Sequence, residues 1–308
     1  MKKIIIIPTY NEFKNVGIIC KKIRKYIKSI EILFIDDNSP DGTLKVIKDI
    51  MKTDKKIKYL TRKKKEGIGS AHKYGIKWAL RNNYNLCITM DSDLTHDPKI
   101  IPKMLEYSKN YDLVQTNRFL DKNSMKTWPF YRRVLTSIRY ILLFFLLGIK
   151  HESSGAFRCY NFKRMNPNLI FYAKNNSYSF FWETIFIFTK ENCKIKDLKI
   201  ILPYRTMGTS KLRLRDWFHG LYYLFEVFIK DLFNIILGDV TEHIMMSKYS
   251  KELVQSSKVI VAQSKLFASF CAFSRVRLVT EISLTPRLLR ATAVFFPTSP
   301  EPINSTRL

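Results

Sequence analysis

The chain has 308 residues, 46% hydrophobic and 14% aromatic, which excludes a disordered polymer and leaves room for one large domain or two ordinary ones. Its formal charge of +27 has two readings: a lysine-rich composition from AT-rich coding, or attraction to a polyanion such as nucleic acid, an anionic membrane or a phosphorylated substrate. The five cysteines (Cys20, Cys87, Cys159, Cys193, Cys271) are scattered, without CxxC pairs or Cys/His clusters, which argues against zinc or a disulfide framework and for reduced cytosolic thiols.

The opening MKKIIIIPTYNE has the lysines of a signal peptide, but its apolar run stops after Ile7, so it reads as a buried first strand. A helix follows from Glu12 to Ile30, then a strand at EILFIDD and a helix from Thr43 to Met51. KIKYLT is a short strand, Ser70 to Arg81 a helix, NLCITMD a strand, Pro98 to Lys109 a helix and DLVQTNR a strand. This alternation predicts an α/β domain with a largely parallel sheet. Pro129 to Ile149 begins with Arg132, Arg133 and Arg139 and ends in an apolar block too short for a bilayer. It is either an interfacial helix or an ordinary buried one. Trp217 to Gly238 is a second apolar helix with one narrow polar stripe, and Glu226, Lys230 and Asp231 disfavour a membrane span. No lysine follows Lys265, and the end of the chain has no sustained period. The expected division is a domain over 1–212, an amphipathic membrane-associated helix over 213–245, and an atypical tail, non-native or disordered, over 246–308.

In such sheets ligands bind beyond the carboxyl ends of the strands. Four of those ends read PTYNE, DDNSPDGT, DSDLTHD and NRF, and they hold most of the unusual polar chemistry. Asp91 and Asp93, one residue apart at a strand-to-loop corner, can reach one hard cation, Mg²⁺ or Mn²⁺, shared with a diphosphate. An isolated DxD is more often a solvated turn; the buried strand before it favours the metal reading. The first strand lacks a glycine-rich turn and EGIGSAHKYG lacks the full dinucleotide spacing, so a mononucleotide diphosphate fits better than NAD. His72 and His96 read as phosphate or metal neighbours or, more commonly, as solvated residues. The run Arg62 to Lys65 reads as a solvated loop, and Trp128 as an interface anchor or a core filler.

Taken together and in order, IPTYNE, FIDDNSPDGT, EGIGSA, MDSDLTHDP, SGAFRCY and GTSK resemble the inverting family 2 glycosyltransferases, most closely the dolichol- or polyprenol-phosphate mannose synthases, over about residues 2–212. The resemblance implies a GT-A fold, a nucleotide-sugar donor (GDP-mannose), a polyisoprenyl monophosphate acceptor, and a seat at the cytoplasmic face of a membrane, peripheral or interfacially anchored. It places Pro8, Tyr10, Glu12 and Asp37 in the nucleoside pocket, Asp91 and Asp93 on the metal, and Ser92 near the diphosphate. Arg118 with Arg132 or Arg133 would grip the acceptor phosphate. Arg205 and the segment ending in Lys211 match a mobile loop that closes over the donor phosphates.

Three positions depart from the family pattern: Thr95 stands where a Gln ligand is usual, His151-Glu-Ser-Ser replaces Asp-x-Thr, and Thr116-Asn-Arg118 replaces GSR. Glu183 opens an alternative, a hydroxyl acceptor with Glu183 as base, against a structural role for that carboxylate. A basic nucleic-acid-binding protein and a nucleotidyltransferase are further alternatives, but no RNA-binding signature or recognition helix is evident and no nucleic-acid partner is expected.

Overall fold

The computed structural model describes residues 1–204 and 214–246, with side chains of the latter segment described for 215–235. Arg205, Lys211 and the tail after 246 lie outside the described residues. The chain divides into two units, Met1–Phe233 and Asn234–Leu308.

The first unit opens with strand β1 (Lys3–Thr9), helix α1 (Phe13–Tyr26), β2 (Glu31–Asp36), α2 (Thr43–Thr53), β3 (Ile57–Thr61) and α3 (Ile68–Arg81). It continues with β4 (Leu86–Thr89), α4 (Ile101–Tyr107), β5 (Leu113–Asn117), α5 (Phe130–Leu147), β6 (Arg158–Asn161), α6 (Leu169–Tyr172), α7 (Ser179–Lys190), β7 (Ile195–Lys199) and the start of α8 (Leu214–Met246). Helix α1 stops four residues short of the expected Ile30. Arg24 turns back to donate to the carbonyls of Ile27 and Ile30, at 3.4 and 2.7 Å, and holds Asp54, so the connection leaves the helix axis. The helix expected from Pro98 begins as a 3-10 turn capped by Asp97, whose Oδ1 accepts the Lys99 amide, before α4 takes over.

Seven strands form one sheet in the order β3-β2-β1-β4-β6-β5-β7. All pairings are parallel except the two made by β6, which runs antiparallel to β4 and to β5. This reversal has a consequence for the site. The carboxyl ends of the six parallel-running strands gather on one edge, and the amino end of β6, carrying His151 to Phe157, enters at that same edge. Four consecutive isoleucines of β1 (Ile4–Ile7) are fully buried and split between two cores. Ile4 and Ile6 face α3 and α7, while Ile5 and Ile7 face α1 and the β2–α2 side. A strand covered on both faces is what an unbroken apolar run encodes.

The compact unit runs on past 212 to Phe233 because α8 packs against α7. Leu224 is buried, Tyr223 lies 5.5 Å from the Trp182 ring, and Lys190 pairs with Asp231 at 2.9 Å. Among the described residues no helix is long and apolar enough to cross a membrane.

Candidate active site

The first two strand ends are laced to each other. Asp36, fully buried at the end of β2, accepts from the Thr9 hydroxyl at 3.1 Å and from the Ser39 amide and hydroxyl at 2.9 and 2.7 Å. Asp41 accepts the Phe13 amide on one oxygen and the Thr43 amide and hydroxyl on the other. Burial would raise its carboxyl; those donors outweigh it and hold it below the usual range. Glu12 is buried, its carboxylate accepts from the Asn15 side-chain amide at 2.6 Å, and its backbone N–H donates to the Thr43 hydroxyl oxygen at 2.9 Å. Asn11 and Asn38 both adopt φ +57, a left-handed turn that asparagine tolerates, so both loops double back over the strand ends.

Pro8 is buried in β1 and Tyr10 is half-buried, its ring capped by the Lys65 ammonium at 4.9 Å. Asp37 is held in a two-pronged ion pair by Arg62, at 2.6 and 2.7 Å, and Arg62 also donates to the Ser70 hydroxyl at 2.7 Å. The expectation that the basic run is solvated therefore holds for Lys63 to Lys65 but not for Arg62, which is buried. Position in sequence could not separate them; the partner comes from the neighbouring strand end.

The glycines that follow serve packing. A Cβ on Gly67 would lie 2.3 Å from the Asn176 carbonyl oxygen, one on Gly69 2.5 Å from Phe180, and one on Gly75 2.7 Å from Ile6. They let α3 sit close on the sheet and on the turn before α7.

At the end of β4 the chain turns sharply. Leu94 adopts φ +67, an uncommon conformation for a branched residue, and Asp93 accepts the Thr95 amide at 3.1 Å and hydroxyl at 2.6 Å. Thr95 thus closes the turn around Asp93. Ser92 is buried; Asp91 and Asp93 are half-exposed. His96 is buried rather than solvated, its Nδ1 accepting the Asp91 amide at 3.0 Å. His72 is buried against Phe180 and Phe181, and burial drives its pKa down to about 3, with Arg158 nearby adding to the fall. It is a neutral core residue.

The other part of the edge carries arginines. Arg118, at the end of β5, is buried with its guanidinium 3.5 Å from Glu152 and 5.5 Å from the Trp128 ring. Arg132 lies 4.8 Å from the same ring, so Trp128, donating to the Leu202 carbonyl at 2.9 Å, stands between two cations. Arg133 is exposed, near Phe130. Glu152 is buried, and burial would raise its carboxyl; Arg118, the Ser154 hydroxyl and amide, and Arg139 together hold it below the usual range. Arg139 falls to about 10, chiefly through burial and then through repulsion by Arg118. Neither Glu152 nor Arg139 has a site role in the sequence reading, where Arg139 belongs to the basic start of the 129–149 helix and Glu152 to the HESS departure from the family pattern. Glu183 is buried and its two oxygens take the Lys174 and Asn175 amides at 2.8 and 2.9 Å and the Tyr223 hydroxyl at 2.8 Å.

Residues 4–166 match the family model described as glycosyl transferase family 2. The chain belongs to that family. The family's GT-A fold agrees with the mostly parallel seven-stranded sheet. This glycosyltransferase is similar to the polyprenol monophosphomannose synthase of Mycolicibacterium smegmatis, 27% identical over 214 residues, 68% of this chain and 81% of that one. It is equally similar to the undecaprenyl-phosphate mannosyltransferase of Micrococcus luteus, 27% identical over 213 residues, 69% and 88% of the two chains. Among solved structures it is similar to the glucosyl-3-phosphoglycerate synthase of Mycobacterium tuberculosis with Mn²⁺, UDP and glucosyl-3-phosphoglycerate, at TM-score 0.46 and 14% identity over 68% of this chain and 73% of that one. It is also similar to S. aureus TarS 1–349 with UDP-GlcNAc, at TM-score 0.48 and 15% identity over 73% and 65%.

A divalent cation fits the donor set of the glycosyltransferase. No group of three or more His, Cys, Asp or Glu side chains gathers among the described residues, so a closed all-protein cage is absent there. Two half-exposed carboxylates on one tight turn suit a hard ion that keeps water and substrate oxygens in its remaining positions.

Proposed function

We propose that this chain transfers mannose from GDP-mannose to a polyisoprenyl monophosphate at a membrane surface, with inversion at the sugar and dependence on Mg²⁺ or Mn²⁺. The observation that carries this reading is the meeting, on one sheet edge, of the acidic turn Asp91–Asp93 with three arginines: Arg118 and Arg139 beside the Glu152 carboxylate, and Arg132 sharing the Trp128 ring with Arg118. That balance leaves net positive charge beside the acidic turn, as an anionic acceptor requires. The activities of the mycobacterial and micrococcal relatives support the choice of sugar and lipid.

In this reading Asp91 and Asp93 hold the cation, which supplies charge neutralisation at the donor diphosphate. Pro8, Tyr10, Glu12 and Asp37 line the nucleoside pocket. Asp37 acts from within its pair with Arg62, which fixes the pocket wall. Ser92 faces the diphosphate, and Arg205 and Lys211 supply it with positive charge. Arg118 and Arg132, with Arg133 at the rim, bind and orient the lipid phosphate, and Trp128 shields the inner face of this arginine group from water. A phosphate oxygen then forms the new bond to the anomeric carbon as the bond to the nucleoside diphosphate breaks. A phosphate monoester is largely dianionic near neutral pH, its second pKa being about 6, so no proton has to be removed. The protein's work is positioning and charge stabilisation.

The three donors on Glu183 support a structural role for that carboxylate over that of a base for a hydroxyl acceptor. Peripheral seating is supported by α5, where Tyr131, Val134, Ile138, Ile141 and Phe145 form one exposed apolar stripe, Phe145 reaching 76% exposure, beside the exposed Arg133. The test is incubation with Mn²⁺ or Mg²⁺, a panel of labelled nucleotide sugars and polyprenyl phosphate. Mannose in the lipid fraction with release of GDP is expected. Label in a saccharide fraction, or pyrophosphate as product, would overturn the reading.

A further inference from the structure

The loop between Asp91 and Pro98 contains a side chain whose role the transfer reaction does not itself require. His96 is buried although it sits at the mouth of the acidic turn. Its Nδ1 accepts the Asp91 backbone N–H at 3.0 Å. A ring nitrogen that accepts has no proton, so the neutral imidazole carries its hydrogen on Nε2. That nitrogen lies 3.8 Å from Asp91 Oδ2, beyond hydrogen-bond length but on the side of the carboxylate. The ring itself cannot drift. It stacks on Phe157 with centroids 5.1 Å apart and planes 24° apart.

Phe157 is in turn fixed from both sides. It is fully buried, its carbonyl accepts the Thr116 amide of β5 at 3.1 Å, and the carbonyl before it, Ala156, accepts the Thr89 hydroxyl of β4 at 2.6 Å. The antiparallel entry of β6 thus puts an aromatic platform directly beside the acidic turn. Two separate stretches of sequence, MDSDLTH and SGAF, meet through one imidazole.

We infer that His96, seated on Phe157, is a positioning residue that orients the Asp91 carboxylate for its cation. This rests on the reading of Asp91 and Asp93 as cation ligands. His96 does not ligate: one nitrogen is committed to a backbone amide and the other bears a hydrogen. Its contribution is to stop the turn from relaxing, with Leu94 already in a strained left-handed conformation, and to keep a hydrogen-bearing nitrogen facing the carboxylate's Oδ2. Partners of this outer kind typically change metal affinity 10- to 100-fold when removed.

The experiment uses the full chain freed of metal, with Mn²⁺ and GDP as probes and free Mn²⁺ followed by electron paramagnetic resonance. His96→Ala should weaken Mn²⁺ binding about 10- to 100-fold. Its turnover should return toward wild type when Mn²⁺ is raised, because only occupancy is impaired. His96→Asn, whose side-chain oxygen can replace Nδ1 as acceptor, should recover most of the lost affinity. In the metal-free wild type, long-range ¹⁵N–¹H correlations should show His96 as the Nε2–H tautomer, a reading that needs no variant to fold. An Nδ1–H tautomer overturns the proposal. So does a folded His96→Ala that binds Mn²⁺ like wild type while Asp91→Ala does not. If Asp91→Ala itself binds Mn²⁺ unchanged, the cation reading falls and takes this one with it.

Discussion

The two parts of the carboxyl edge are built on opposite plans. Around β1, β2 and β4, three carboxylates are satisfied by amides and hydroxyls of their own turns, Asp36 by Ser39, Asp41 by Thr43 and Asp93 by Thr95, while Asp37 is paired with Arg62. Such turns are short-range and stiff, and they present oxygen atoms in fixed directions. Around β5 and β6 the charged groups are arginines held by stacking on Trp128 and by one shared carboxylate from a distant segment. Under the proposed function, the first plan would serve a metal and a nucleotide whose geometry is constant, and the second a phosphate that arrives on a flexible lipid.

The largest expected effect lies on the stiff side. Asp91→Ala or Asp93→Ala should cut lipid mannosylation by roughly 10²–10³-fold or more, with thermal melting little changed, because charge stabilisation of the leaving diphosphate is lost. Transfer of label to lipid at wild-type rate by either variant would break the contrast. On the arginine side, Arg132→Ala should raise the acceptor KM about 10- to 100-fold, the worth of one charge-assisted contact, while the KM for the nucleotide sugar stays put. A rise in the donor KM instead would merge the two halves.

Packing effects come next. Gly75→Ala should destabilise the fold by about 1–3 kcal/mol, seen in urea unfolding, since its Cβ would press on Ile6 and Ile35. If it stabilised the protein, α3 would not be seated as described. Glu183→Gln should leave lipid mannosylation within a few-fold of wild type and lower the melting temperature, because one of the Lys174 and Asn175 amides loses its acceptor. Collapse of turnover with an unchanged melt would make Glu183 the base of a hydroxyl-acceptor enzyme.

The smallest effect is read against pH. Glu152 has its carboxyl lowered in the folded state below 4.5, so its charge contributes stability above that pH and the contribution is lost as pH falls through the folded value. Glu152→Gln should therefore melt below wild type at pH 7, and the gap should narrow as pH drops below about 4.5. A gap constant with pH would detach Glu152 from its arginines.

The acidic turns after β2 and β4 are legible in the sequence because their chemistry is local. A carboxylate that accepts from an amide two or three residues on is written in consecutive letters, and so are Asp41-Gly-Thr43 and Asp93-Leu-Thr95. The unbroken isoleucines of β1 likewise announce a strand buried on both faces. The helix over Thr43–Met51 and the strand at DLVQTN were also readable, since period and turn residues lie within a few positions of each other.

What the tertiary structure alone decided is everything that depends on β6. Nothing in RCYN distinguishes a parallel from an antiparallel strand, yet its reversal brings His151 to Phe157 onto the working edge. From that follow the pairing of Arg118 with Glu152, separated by 34 positions, and the stacking of His96 on Phe157. Arg62 and Lys63 look alike in sequence, but only Arg62 has Asp37 within reach, because β2 and β3 are neighbours in register. Sequence by itself determined the α/β class, the acidic turns and the family, because these rest on periodicity and on contacts a few residues long. Which charges are buried, and with whom, is settled by long-range strand order, since a charge leaves water only where the folded chain supplies its partner.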